Sequence, residues 1–183
     1  PGLTVNSTPS DYNLFGKLTY DVTPHFKIGM FVQAYGSGWI GSGQIPSRDV
    51  ARIGQFGSED PSEGGLTERQ MFTAFAHYQN GKHEVDASVY VTRYRLSLYN
   101  DFTFFLNDPV NGDEIEQDDA RVFSGAKLSY HFHRRWHGIS FRSTLGGELR
   151  YDGVHVDRWN AESQNGDFRQ RLSRRVDDTS LGF

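Results

Sequence analysis

Three histidines, His131, His133 and His137, fall within one short stretch of the chain. Residues two apart on a strand share a face, so His131 and His133 could offer their imidazoles to one metal ion. The simpler reading is a polar turn at an interface, with Arg134, Arg135 and Trp136 as anchors. A second cluster is acidic. Asp108, Asp113, Glu114, Glu116, Asp118 and Asp119 could give oxygens to a hard cation such as Ca²⁺, but their spacing misses the Asp-x-Asp-x-Asp-Gly loop. A solvated loop is the default expectation. Asp21, Asp86 and Glu148 have Lys and Arg within reach in the pattern, so ion pairing is expected of them before acid–base work. Ser and His are plentiful, yet no Gly-x-Ser-x-Gly elbow occurs and no glycine-rich loop opens a helix to cradle phosphate. Cysteine is absent, which removes disulfides, thiolate ligands and thiol nucleophiles together. These residues predict no enzyme, no resident metal and no cofactor.

The elements that must position such groups are strands. Over residues 70–91, Phe72, Ala74, Ala76 and Tyr78 share one face, and Val85, Ala87, Val89 and Val91 share the same face after a turn at Asn80-Gly81. The opposite face carries Met71, Thr73, Phe75 and His77, then Glu84, Asp86, Ser88 and Tyr90. Period-two alternation around an Asn-Gly pair predicts a hairpin whose two faces meet different environments. Residues 11–22, 26–35, 121–132 and 140–151 alternate in the same way. Residues 1–10, 37–68, 107–119 and 153–178 read as loops, and 179–183 as the start of a further strand.

Bulk composition agrees. The 183 residues carry a net charge of −4, too mild for a nucleic-acid footprint. Aromatics make up 14% and Gly numbers 20, a mix that favours strands and turns over helices. A mean hydropathy of −0.62 leaves no run long enough for a membrane helix. It leaves a membrane barrel open, because barrel strands alternate and barrel loops are polar.

The connections alternate short and long, which places every long loop at one end of the strands. Outer-membrane barrels have that asymmetry, with tight periplasmic turns and extended extracellular loops. Tyr20, Phe26, Tyr78, Tyr130, Phe132 and Phe141 lie beside the short turns, with Tyr12 and Tyr151 at the other ends, as an interfacial girdle requires. The other face holds Lys17, Lys27, Asp86, Arg121, Lys127, Arg142 and Glu148, too many charges for a dry core. The pattern predicts an all-β, antiparallel transmembrane β-barrel segment: about six strands and the start of a seventh, in an up-and-down meander.

Two blocks carry a resemblance to a known family. The first is Gly43-Gln44-Ile45-Pro46-Ser47-Arg48 with 54–69, which includes Phe56-Gly57-Ser58-Glu59-Asp60-Pro61-Ser62-Glu63-Gly64-Gly65. The second is 99–113, Tyr-Asn-Asp-Phe-Thr-Phe-Phe-Leu-Asn-Asp-Pro-Val-Asn-Gly-Asp, followed by Glu116-Gln117. Both resemble extracellular loops and strand ends of TonB-dependent outer-membrane receptors. The resemblance implies a bacterial outer-membrane barrel of 22 strands with a plug domain inside. It also implies uptake of a scarce ligand, most commonly a ferric siderophore, with energy from the TonB complex. Cobalamin, sugars and other metal chelates are alternative cargoes. Residues 1–183 then read as a partial barrel domain with no plug, an interior slice of the wall. Its partners are outer-membrane lipid, a siderophore-like small molecule, and TonB through a plug outside this chain.

Ligand contact is expected at Tyr35, Trp39, Arg48, Arg52, Phe56, Tyr94, Tyr99, Arg158 and Trp159, through charge and stacking on an anionic chelate. Two rivals differ in class. A passive or adhesive outer-membrane barrel would lack the plug, and a soluble β-sandwich binding module would stay soluble without detergent.

Overall fold

Alternating apolar and polar residues become seven strands in the computed structural model. It describes residues 10–183 apart from 42–43, 61, 107, 111–112 and 162–167, so most of the expected N-terminal loop lies outside the described residues. The strands are β1 (Ser10–Thr23), β2 (Phe26–Ile40), β3 (Gly64–Asn80), β4 (His83–Asn100), β5 (Ile115–Trp136), β6 (Ile139–Ala161) and β7 (Phe168–Gly182). A single helical turn, α1 (Val50–Ile53), lies in the connection after β2. Every strand pairs antiparallel with its sequence neighbour, in the order β1 to β7.

Register makes the two faces continuous. Leu18, Met30, Ala74, Val89, Ala126, Leu149 and Leu181 are successive cross-strand partners, an unbroken apolar row across the whole sheet. Among the described residues nothing covers it: Leu18 is 61% exposed, Val89 53% and Leu181 68%. Further rows lie on either side, through Val32, Phe72 and Val91 above and Tyr20, Ile28 and Leu128 below. On β5 the apolar face runs from Val122 to Phe132, about ten steps of ~3.4 Å along the strand. At a tilt of ~40° that leaves ~26 Å of height, close to the apolar band of a membrane barrel.

The short connections are tighter than the sequence suggests. The loop between β3 and β4 is Gly81-Lys82, with Asn80 paired to His83 and Gly81 at φ 60°. The turn therefore falls one residue later than an Asn-Gly centre, and side-chain parity is unchanged. Between β5 and β6, Trp136 pairs with Ile139, leaving His137 (φ 50°) and Gly138 (φ 81°) as the turn. Positive φ at both positions is what a two-residue hairpin matched to the strand twist demands. Residues 133–136, expected in the connection, are strand.

At the other end the strands overshoot. β5 has 22 residues and β6 has 23, twice the ~9–11 that cross the hydrocarbon. Much of the stretch 153–178 is strand rather than loop, because polarity inverts above the apolar band. Val154 and Val156 turn to the polar face, while His155 and Asp157 share the face of Leu149 and Tyr151. Inverted alternation hid the strand. The seventh strand likewise begins at Phe168, well before the five residues expected of it.

Candidate functional site

The expected ligand residues divide by strand parity. Tyr35 pairs with Arg69, Arg69 with Tyr94 and Tyr94 with Arg121, so these four form one row on the polar face. Trp39, Gly65, Leu98, Gln117 and Arg158 form a higher row on the same face. Trp39 lies flat over Gly65: a Cβ there would come 2.5 Å from Cζ2 of the indole, so only glycine lets the ring rest on β3. Tyr99 and Trp159 face the other way. Counting by twos from Val89 places Tyr99 on the apolar side, above the band, with Glu116 and then Trp159 beside it. The Tyr99 hydroxyl donates to Glu116 Oε1 at 2.8 Å. Burial, the hydrogen bond to Glu116 and its charge push the phenol up to about 12.

Arg48, Arg52 and Phe56 belong to the connection 41–63 and are exposed. Their guanidiniums already have partners. Arg48 Nε lies 2.9 Å from Asp49 Oδ2, and its Nη2 donates to the Phe104 carbonyl at 2.8 Å. Arg52 pairs with Asp49 at 3.6 Å and with Glu59. The arginines are exposed and open to an anionic ligand, but Asp49 and Glu59 are only 18% and 12% exposed, so they hold the cations more firmly than fully exposed acids would. Arg48 has a second role, because its bond to Phe104 joins the connection 41–63 to the connection 101–114.

The second connection carries features that the sequence reading missed. Phe104 and Phe105 both have positive φ, 55° and 62°, a strained conformation for aromatic residues. Asp101 holds this turn: its Oδ1 accepts the N–H of Thr103 at 3.1 Å and of Phe104 at 2.9 Å. Phe102, Leu106 and Val110 project from the same loop, 59%, 66% and 79% exposed. An apolar tip on a strained loop suits contact with a ligand or a partner. The run Phe102-Thr103-Phe104-Phe105-Leu106 was the available signal, since so apolar a loop segment is unusual.

Beneath this tip, Asp60, Glu63, Asp101 and Glu114 are all buried. Burial, opposed by the N–H of Asp101 and reinforced by the charges of Asp60 and Asp101, raises the Glu63 carboxyl above its ordinary value. Burial and the charge of Asp60 push Glu114 up to about 7.

At the short-turn end the histidines point to carboxylates. His131 Nε2 lies 3.5 Å from Asp86, whose other oxygen meets His77 Nδ1 at 2.7 Å. His133 Nε2 and Arg142 Nη2 share Glu84 Oε2, at 3.2 and 3.1 Å. His131 and His133 do share a face, as their spacing predicts, but each turns to a different acid. His137 stands apart in the turn, its ring 4.9 Å from that of Trp136. Among the described residues, His77, Glu84 and Asp86 are the trio whose ligand atoms lie within 4.8 Å of one another. Of the expected ion pairs, Asp21 meets Lys27 at 3.4 Å and Asp86 takes histidines, while Lys127 is the cross-strand partner of Glu148.

No protein-family model matches this sequence, and no curated protein matches it. Among solved structures it is similar to the unliganded crystal structure of the ferric citrate transporter FecA, with a TM-score of 0.74 at 14% identity. The match covers 97% of this chain and 26% of that one. Seven meandering antiparallel strands, an apolar belt on one face and long connections at one end give this chain the fold of a stretch of that transporter's β-barrel wall.

Proposed function

We propose that the chain is part of the wall and loop crown of a TonB-dependent receptor in a bacterial outer membrane. The receptor takes up a scarce ligand, a ferric siderophore, with energy from the TonB complex delivered through a plug domain outside this chain. The observation that carries the reading is the apolar row from Leu18 to Leu181, exposed across seven strands opposite a face bearing Lys17, Asp86 and Glu148. Lipid covers Phe72, Ala74, Val85 and Val89, and water or the plug covers the other face. The likeness to a ferric citrate transporter supports an iron chelate as cargo.

An anionic ferric chelate would meet Arg48, Arg52 and Arg158 as cations, with Tyr35, Trp39, Phe56 and Tyr94 as stacking surfaces. Tyr99 and Trp159 lie on the opposite face and would support the loops from outside. The test is ferric-chelate binding and uptake by the full-length receptor. Alanine at Tyr35, Tyr94 and Arg158 together is expected to weaken binding roughly tenfold or more, with alanine at Tyr99 and Trp159 changing it little. Equal losses from the two sets, or none from the first, would reject the patch. Leak of small solutes without concentrative uptake would point to a passive barrel instead.

A further inference from the structure

Four carboxylates from three stretches of chain meet at the two long connections. Asp60 and Glu63 lie at the end of the first, Asp101 opens the second and Glu114 closes it. Their side chains are almost fully enclosed, at 4%, 6%, 2% and 3% exposure. They are electrostatic neighbours: Glu114 feels the charges of Asp60, Glu63 and Asp101, and Glu63 those of Asp60 and Asp101. Three oxygens, Asp60 Oδ2, Asp101 Oδ2 and Glu114 Oε1, are buried without any hydrogen-bond partner. The other oxygens of these acids are engaged, that of Glu114 by the Ser62 side chain. Asp60 Oδ1 accepts the Ser62 N–H at 2.9 Å, and Asp101 Oδ1 caps the Phe104 turn. Glu63 Oε1 accepts the Asp101 N–H at 3.0 Å, which stitches the two connections together. Among the described residues, no Lys, Arg or His forms an ion pair with any of the four.

Like charges packed together out of water, with orphaned oxygens turned inward, are among the least favourable arrangements in a protein unless something neutralises them. We propose that Asp60, Glu63, Asp101 and Glu114 bind a calcium ion that ties the connection 41–63 to the connection 101–114. The donor set is all oxygen, which suits a hard cation and disfavours metals that seek imidazole or thiolate. Ca²⁺ takes about six to eight oxygens at ~2.3–2.6 Å in flexible geometry, whereas Mg²⁺ keeps several waters that so enclosed a site has little room for. No three of the four carboxylates yet bring one oxygen each within 4.8 Å of the others, so the ion draws the two connections together as it binds. The inference is independent of what the loops transport.

The experiment uses the full-length protein in detergent, stripped with EDTA. CaCl₂ is added by calorimetric titration and, separately, before trypsin digestion, for which Arg48 and Arg52 in the first connection are cleavage sites. Calcium, but not equimolar magnesium, is expected to slow cleavage after those arginines roughly tenfold or more. Glu114→Gln, and independently Glu63→Gln, should abolish that protection and remove one calcium-binding event relative to the unmodified protein. In EDTA both variants should be cleaved no faster than the parent, because each removes like-charge repulsion. An acid serving only as a hydrogen-bonding strut would instead make both variants more labile with and without calcium. That result would overturn the proposal. So would calcium binding and protection that are the same in the parent and both variants, or absent from the parent.

Discussion

Arginine at Val89 puts a charge near the middle of the apolar face, in the row shared with Ala74 and Ala126. Val89 is 53% exposed and has only lipid to face in the proposed setting. A lipid-facing Arg at the bilayer midplane destabilises a barrel by ~2–4 kcal/mol, and near an interface by ~0–1 kcal/mol. The midplane figure corresponds to roughly a 30- to 800-fold shift in the folding equilibrium. Val122 lies at the upper margin of the band, paired with Arg93, so Val122→Arg should cost little. Ser88 lies on the polar face opposite Lys127, so Ser88→Arg should cost no more than the ~0.2–1 kcal/mol of a like-charge cross-strand pair. The assay is guanidinium unfolding of the full-length protein in phosphatidylcholine vesicles, followed by tryptophan emission. The expected order of cost is Val89→Arg far above Val122→Arg and Ser88→Arg. Equal costs at 89 and 122, or a larger cost at 88, would refute a lipid-covered band. A protein-covered sandwich face would show no such depth gradient.

Two further outcomes follow from local geometry. His137 sits at φ 50° in its hairpin, a region that β-branched residues avoid, so His137→Val should cost ~1–2 kcal/mol in the same assay. His137→Gly should be neutral or stabilising, which no metal-ligand role for this histidine would allow. Tyr99, with its hydroxyl on Glu116, should ionise only near pH 12, so the absorbance difference at the tyrosinate band between the parent and Tyr99→Phe should be flat around pH 10 and rise above it. Because the folded value is raised, the stability linked to this proton is fully present below the ordinary tyrosine range and is lost as pH climbs through about 12. A difference signal already complete near pH 10 would contradict the hydrogen bond to Glu116.

The wall was legible because one residue in two must satisfy a single environment over its whole width. Phe72 to Tyr78 and Val85 to Val91 announce that environment without any partner in view. Legibility stopped where the environment changed. Above the band both faces are wet, so Val154 and Val156 alternate against His155 and Asp157 with the polarity reversed, and the strand resembles a loop. Parity could still have been counted across that boundary, and it would have separated Tyr99 and Trp159 from Tyr94 and Arg158. The acidic quartet offered no such route. Asp60 and Glu63 meet Asp101 and Glu114 only after two strands have carried the chain down and back, and the acidic run in the sequence includes Glu114 but groups it with Asp108, Asp113, Glu116, Asp118 and Asp119 rather than with the other three. Arg48 is similar: nothing near it in sequence reveals that its partner is the Phe104 carbonyl.

The overshoot of the strands sets the altitude at which the loops operate. From Val122 at the top of the apolar face, β5 continues seven residues to Ile115. That adds ~24 Å along the strand and ~18 Å of height at a barrel's tilt. At physiological salt, the potential of an anionic membrane surface decays within ~8–10 Å. In the proposed membrane setting, a turret this tall would carry the connections that hold Arg48, Phe56 and Phe104 beyond the reach of that repulsion. In the proposed receptor, a negatively charged ligand would then be met in open water, by a rim stiffened with paired strands, before it feels the bilayer beneath.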